Sequence, residues 1–231
     1  MLVAATANNL YLDAQKIKMK EGLIIFIRNP VLGKVKTRLA KTVGDEKAFA
    51  IYQHLLAYTH QFTCKINGDK FLYYSDVAEQ NDIWENELFT KKVQQGGDLG
   101  ERMGNAFTEL FKAGYHKLII IGSDCIELDK ALIEQAFKLL ADHKVVIGPS
   151  LDGGYYLLGM TEYIPALFTN KQWGTASVLE HTLHDLHTAN INLAQLTALN
   201  DIDEEADLPA SLKERFDGAD WLQKSSYEIF L

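Results

Sequence analysis

The sequence predicts an α/β protein with a three-layer core, a mostly parallel sheet between two layers of helices. Three observations carry that expectation. Short all-apolar runs recur along the chain, the pattern of strands buried on both faces. Longer stretches between them place apolar residues at helical spacing. The two kinds alternate, which yields a sheet covered on both faces, with its ligand site at the carboxyl ends of the strands.

The first run is Leu-Ile-Ile-Phe-Ile at residues 23–27, which opens into a loop at Asn29-Pro30, because the residue before proline is pushed toward extended geometry. Ala48, Ile51, Tyr52, Leu55, Leu56, Thr59 and Phe62 then mark an amphipathic helix over residues 45–65. A second strand follows at 71–74. Asp98 and Glu101 stand at capping-box spacing ahead of a helix reaching residue 113, whose buried stripe is Leu99, Met103, Ala106, Phe107 and Leu110. Residues 118–121 form the most apolar stretch, bounded by Gly122, and read as a central strand. A helix over 130–141, strands at 145–147 and 154–159, and a helix opened by Ser177 with Glu180 complete the series.

At 231 residues the chain suffices for one such core, so residues 19–231 are expected to form a single domain. Residues 1–18 precede the first strand, either as a loose tail or as an extension upstream of a start at Met19. A net charge of −8 argues against a broad nucleic-acid-binding face, since phosphate backbones are held by clustered Lys and Arg. The two cysteines, Cys64 and Cys125, cannot build a disulfide framework and are read as reduced. No apolar run approaches the roughly 18 residues of a membrane span, and residues 1–7 lack the basic flank of a secretory signal. These features place the protein in the cytoplasm. Near the carboxyl terminus, Trp221, Tyr227, Ile229 and Phe230 are apolar enough to pack on the core or on a neighbouring subunit, which leaves the oligomeric state open.

Five segments carry residues suited to chemistry. Gly122-Ser123-Asp124 puts a carboxylate just past the central strand, where open α/β sheets bind ligands; capping of a turn before the next helix is the competing role. Lys34, Lys36 and Arg38 fall in the loop after the first strand, where three cations can neutralise a di- or triphosphate or form a solvated face. A P-loop is excluded there, because Arg28 and Val35 stand where it needs Gly and Ser or Thr. Gly96-Gly97-Asp98-Leu99-Gly100-Glu101-Arg102 joins a glycine turn to a helix start, whose free N–H groups can meet an anion or a base edge. Asp152-Gly153-Gly154 offers a carboxylate beside glycines that admit a substrate to the backbone, or else a tight hairpin. Asn200-Asp201-Ile202-Asp203 supplies two acids of the kind Mg²⁺ prefers, with helix capping by Asp203 as the alternative. His181, His184 and His187 lie on one helix at a spacing that marks a solvated stripe.

In this order, the motifs resemble the nucleotide-diphospho-sugar transferase superfamily of glycosyltransferase-A-type fold, and most closely its bacterial branch of small stand-alone glycosyltransferases. The likeness runs over residues 23–208. It implies a three-layer α/β/α sandwich on a Rossmann-like, mostly parallel, mixed sheet. It further implies Asp124 as the metal-binding acid with Asp203 as second ligand, for Mg²⁺ or Mn²⁺. By the same likeness Lys34, Lys36 and Arg38 hold phosphate, Gly97, Asp98 and Arg102 lie near the base, and Asp152, Gly153 and Gly154 face donor or acceptor. Trp173 and Thr175 resemble a segment beside the acceptor. The chain departs from the pattern at Ile126, where proline is usual, and at Glu204-Glu205, where Thr-Pro is usual. The second departure adds charge beside Asp203. A related guanylyltransferase branch carries Thr-Asn where this chain has Tyr155-Tyr156, which tilts the reading toward glycosyl transfer.

The expected function is therefore metal-dependent transfer of a glycosyl group from a nucleotide-sugar to a small-molecule acceptor, with Asp152 deprotonating the acceptor hydroxyl or holding sugar hydroxyls. The alternatives are a nucleotidyltransferase that uses a nucleoside triphosphate and releases pyrophosphate, and a non-catalytic nucleotide sensor.

Overall fold

The computed structural model describes residues 19–217. The expectations for residues 1–18 and for Trp221, Tyr227, Ile229 and Phe230 lie outside the described residues. Seven strands form one sheet among them: β1 (Glu21–Ile27), β2 (Asp69–Tyr74), β3 (Phe89–Val93), β4 (Lys117–Ile121), β5 (Val145–Pro149), β6 (Tyr155–Met160) and β7 (Leu193–Gln195). The helices are α1 (Thr37–Val43), α2 (Asp45–Thr63), α3 (Leu99–Lys112), α4 (Lys130–Leu139), α5 (Val178–Thr188) and α6 (Ala210–Phe216).

The strand order is β3-β2-β1-β4-β6-β5-β7, and only β6 runs against its neighbours. The three-layer α/β arrangement with a mostly parallel, mixed sheet is thus the one the sequence predicts. The reversal has a local cause: β5 and β6 are joined by a tight turn in which the N–H of Ser150 donates to the carbonyl of Gly154 (3.0 Å) and that of Gly153 to Ser150 (3.1 Å). The Asp-Gly hairpin therefore forms, and it carries Asp152 at its tip.

Strand alternation divides the apolar residues of β1 between two cores. Leu23, Ile25 and Ile27 face one side with Tyr52 and Leu56 of α2 and Ile133 of α4. Ile24 and Phe26 face the other, with Met103 and Phe107 of α3 and Leu186 of α5. A third cluster joins Leu39 of α1 and Ile51 and Leu55 of α2 to Ile202, Leu208 and Phe216 near the described carboxyl end.

Two local expectations are corrected. Ser177 makes no side-chain cap for α5, because its backbone is already helical and its hydroxyl lies 2.9 Å from that of Thr175. Leu99 does not join the buried stripe of α3; it is 44% exposed at the mouth of a cleft.

Candidate active site

The carboxyl ends of β1 and β4 and the loops beside them enclose a cleft of about 860 Å³. Lys34, Lys36, Arg38, Gly97, Asp98, Arg102, Asp124, Asp152, Gly154, Trp173, Thr175 and Asp203 all line it. Gly153 lies behind the wall: its φ is +89°, an added Cβ would stand 2.2 Å from the carbonyl oxygen of Ala176, and its own carbonyl accepts the N–H of Leu179 at 2.9 Å. It thereby seats the start of α5 against the hairpin.

Lys36 is the centre of the charge arrangement. Its backbone is left-handed (φ 48°), which ends the loop and turns the side chain inward just ahead of α1. The side chain is only 5% exposed, and Nζ lies 2.8 Å from Oδ1 of Asp124 and 3.1 Å from Oδ1 of Asp203. Burial pushes the ammonium pKa down, but the two carboxylates more than offset it, so the pKa is raised and Lys36 stays charged. Arg38 pairs with the other oxygen of Asp203, which therefore receives two cations.

Neither acid is a cap. Asp129 caps α4 by accepting the N–H of Leu132 (2.9 Å), which frees Asp124. Asp207 accepts the N–H groups of Asp203 (3.0 Å) and Glu204 (2.7 Å), which frees the Asp203 carboxylate for the cleft. The two acidic loops are tied together where the N–H of Ile202 donates to the carbonyl of Asp124 (2.9 Å). The extra charge at Glu204 is directed toward Arg38, 4.0 Å away.

Asp201 also lines the cleft, and its pKa is pushed up to about 7. Burial is the main cause, followed by the negative charge of Asp124; the Ser150 hydroxyl, donating at 2.9 Å, opposes the rise. Asp152 is exposed, and its Oδ1 accepts the N–H of Gly154 (2.9 Å), which aims the carboxylate across the hairpin tip.

On the opposite wall, the Asp98 carboxylate caps α3 through the N–H of Glu101 (2.8 Å), while Glu101 returns to accept the N–H of Gly97 (2.7 Å). Arg102 Nε donates to the carbonyl of Gly96 (3.1 Å). A side chain at Gly100 would stand 2.3 Å from Nε1 of Trp173, so glycine here lets the indole lie against the helix start. Lys34 carries no ion pair among the described residues and is available to an anion. His181, His184 and His187 are exposed on α5, as a solvated stripe.

Arg28, Asn29, Ser75, Asp76 and Gln94 also line the cleft and were not singled out from the sequence. The available signal was position: each follows the end of a strand, where ligands bind in such sheets.

The donor set fits a divalent cation. Asp124 and Asp203 each bring an oxygen within 3.1 Å of one point, now taken by the Lys36 ammonium. Mg²⁺ binds through one or two carboxylates together with substrate phosphates, a habit these two acids would suit once the Lys36 ammonium gave way to the cation. Among the described residues no three His, Cys, Asp or Glu side chains form a closed metal cage.

The family described as "Uncharacterized protein conserved in bacteria (DUF2064)" matches residues 59–175, just over half of the chain. The chain belongs to this family. The DUF2064 match takes in Gly97, Asp124, Asp152 and Trp173 and stops short of the cation loop and Asp203. Among solved structures, the chain is similar to a protein from Desulfovibrio desulfuricans G20 provisionally named a nucleotide-diphospho-sugar transferase. Identity is 29% and the TM-score 0.73, over 90% of this chain and 96% of that one. A homologue of Mycobacterium tuberculosis rv0371c from Mycobacterium sp. strain JC1 aligns at 8% identity and a TM-score of 0.51, over 88% of this chain and 97% of that one, a likeness of fold alone. No curated protein matches this chain. The fold is that of the nucleotide-diphospho-sugar transferases, as the motifs imply. No helix among the described residues is long and apolar enough to cross a membrane.

Proposed function

We propose that this protein is a cytoplasmic, metal-dependent glycosyltransferase that takes a glycosyl group from a nucleotide-diphospho-sugar and passes it to a small-molecule acceptor. One observation carries the reading: a buried lysine from the early part of the sequence binds two cleft carboxylates, one from its middle and one from near its end, beside Arg38 and a Lys34 that has no ion pair among the described residues. The similarity to the Desulfovibrio protein supports the same chemistry.

Asp124 and Asp203 would hold Mg²⁺ or Mn²⁺. A bound divalent cation supplies neutralisation of the charge that builds on a diphosphate leaving group. Lys34 meets phosphate oxygens directly, and Lys36 and Arg38 add positive charge on the same side. Gly97, Asp98 and Arg102 lie toward the base. Asp152 takes the proton of the acceptor hydroxyl or holds the sugar by hydrogen bonds, and Gly154, Trp173 and Thr175 shape that end.

Three cations in the first loop and the start of α1 also suit a triphosphate, which favours nucleotidyl transfer as the second reading. Incubation with each donor class and Mn²⁺ separates the two, since only nucleotidyl transfer releases pyrophosphate. The direct test is a thermal-shift series with nucleotide-sugars and nucleotides, with and without Mn²⁺. Asp124→Ala is expected to abolish the metal-dependent part of the shift. An undiminished shift in that variant removes Asp124 from the site.

A further inference from the structure

The wall of the cleft at the ends of β1, β2 and β3 has a hydrogen-bonding character of its own. Gln94 follows β3, and its N–H donates to the carbonyl of Tyr74 on the neighbouring strand (2.9 Å). Its side-chain nitrogen donates to two further carbonyls, Ile27 at 3.0 Å and Tyr73 at 3.1 Å. Only the NH₂ end of an amide can serve two carbonyls, so the orientation of the group is fixed and both its hydrogens are used. What remains for a ligand is the oxygen, an acceptor.

The adjoining turn is clamped from β1. Asn29 is 7% exposed; its oxygen accepts the N–H groups of Asp76 (3.0 Å) and Val77 (3.3 Å), and its nitrogen donates to the carbonyl of Val77 (2.8 Å). The Ser75 hydroxyl accepts the N–H of Asn29 (3.1 Å) and gives its own hydrogen to Oδ2 of Asp76 (2.5 Å). The hydrogens of the Ser75 hydroxyl and of the Gln94 amide are thus spent within the protein, and the 7% exposed Asn29 is held in the turn. The Asp76 carboxylate, exposed at the cleft, still has an oxygen with no partner among the described residues. Gln94 and Asp76 therefore present two acceptors, held by a rigid backbone frame.

A flat ligand edge that engages both must bring two donors and no acceptor between them. Among nucleobases only guanine has a ring N–H and an amino group side by side. Cytosine and adenine set an acceptor nitrogen beside the amino group, and uracil and thymine set their N–H between two carbonyls, which a carboxylate repels. Building on the donor reading above, which puts the base toward Gly97 and Asp98, we infer that the nucleotide is a guanine nucleotide, with Asp76 and Gln94 as the residues that select it.

The test uses the full chain with Mn²⁺ and isothermal titration of GDP, IDP, CDP, UDP and ADP. IDP matters most, because it differs from GDP only by the missing amino donor. GDP is expected to bind tightest, about tenfold or more ahead of IDP. In Asp76→Asn, an exposed change whose folding is checked by its melting temperature, the GDP to IDP ratio should fall to within about twofold. Binding of all five without preference for GDP, or a preference that survives Asp76→Asn, overturns the guanine assignment and leaves the donor reading intact. Failure of every nucleotide to bind overturns the donor reading itself.

Discussion

Asp201 is the cleft acid whose surroundings oppose its charge most, through burial first and then through Asp124. Its pKa, near 4 in an open chain, rises to about 7 in the fold. Between those values the folded state binds the extra proton, so this contribution to stability is full below pH 4 and is lost as pH rises through 7. Asp201→Asn mimics the protonated form. In chelator, the native melting temperature should therefore fall relative to that of Asp201→Asn between pH 5 and pH 8, by an amount worth at most a few kcal/mol at about 1.4 kcal/mol per pH unit. Parallel pH profiles for the two proteins would show that Asp201 carries no such strain. Much of the site was readable at this scale, because Asp124, Asp203, Lys34, Lys36 and Arg38 are charged residues in the segments that follow strands. Their pairing was not, since Lys36 and Asp203 are 167 positions apart. Gln94 stayed hidden for another reason: a neutral amide at a strand end belongs to no motif, and its role rests on where its hydrogens go.

Elements were legible where burial is two-sided. β5, and β1 and β4 past their first residues Glu21 and Lys117, are apolar because helices cover both faces. β3 was missed because it is the edge strand and carries Lys91 and Lys92, which pair with Asp82 and Glu109 at 2.7 and 2.5 Å, so its sequence shows no apolar run. α1 was read as loop, being a seven-residue helix entered from the left-handed Lys36. The start of α3 shows how an element shapes the cleft beyond its own residues. Gly100 exists as a gap that the Trp173 indole fills. Gly100→Ala should drive Trp173 outward and lower the melting temperature by a few degrees, about 2–4 °C per kcal/mol for a chain of this size. It should also weaken nucleotide-sugar binding, because the wall moves with the indole. Full affinity in Gly100→Ala would mean that Trp173 does not shape the donor site.

Across the whole molecule, the site depends on a third, smaller core that belongs to neither face of the sheet. Ile202 is 1% exposed and packs in the cluster built on Leu39, Ile51, Leu208 and Phe216. It stands between Asp201 and Asp203, and its burial sends the first acid toward Ser150 and the second toward Lys36 and Arg38. The cluster thereby couples α1, which opens just after the cation loop, to the late acidic segment and to α6. Ile202→Ala should cost about 2–5 kcal/mol, the usual range for emptying a buried aliphatic position, read as a lower urea midpoint. Because Asp203 loses its anchor at the same time, the Mn²⁺-dependent thermal shift should shrink by more than in Leu186→Ala, a buried change on the far face of the sheet. Equal shrinkage in the two variants would show that general loss of stability, rather than the path through this third core, governs the acids.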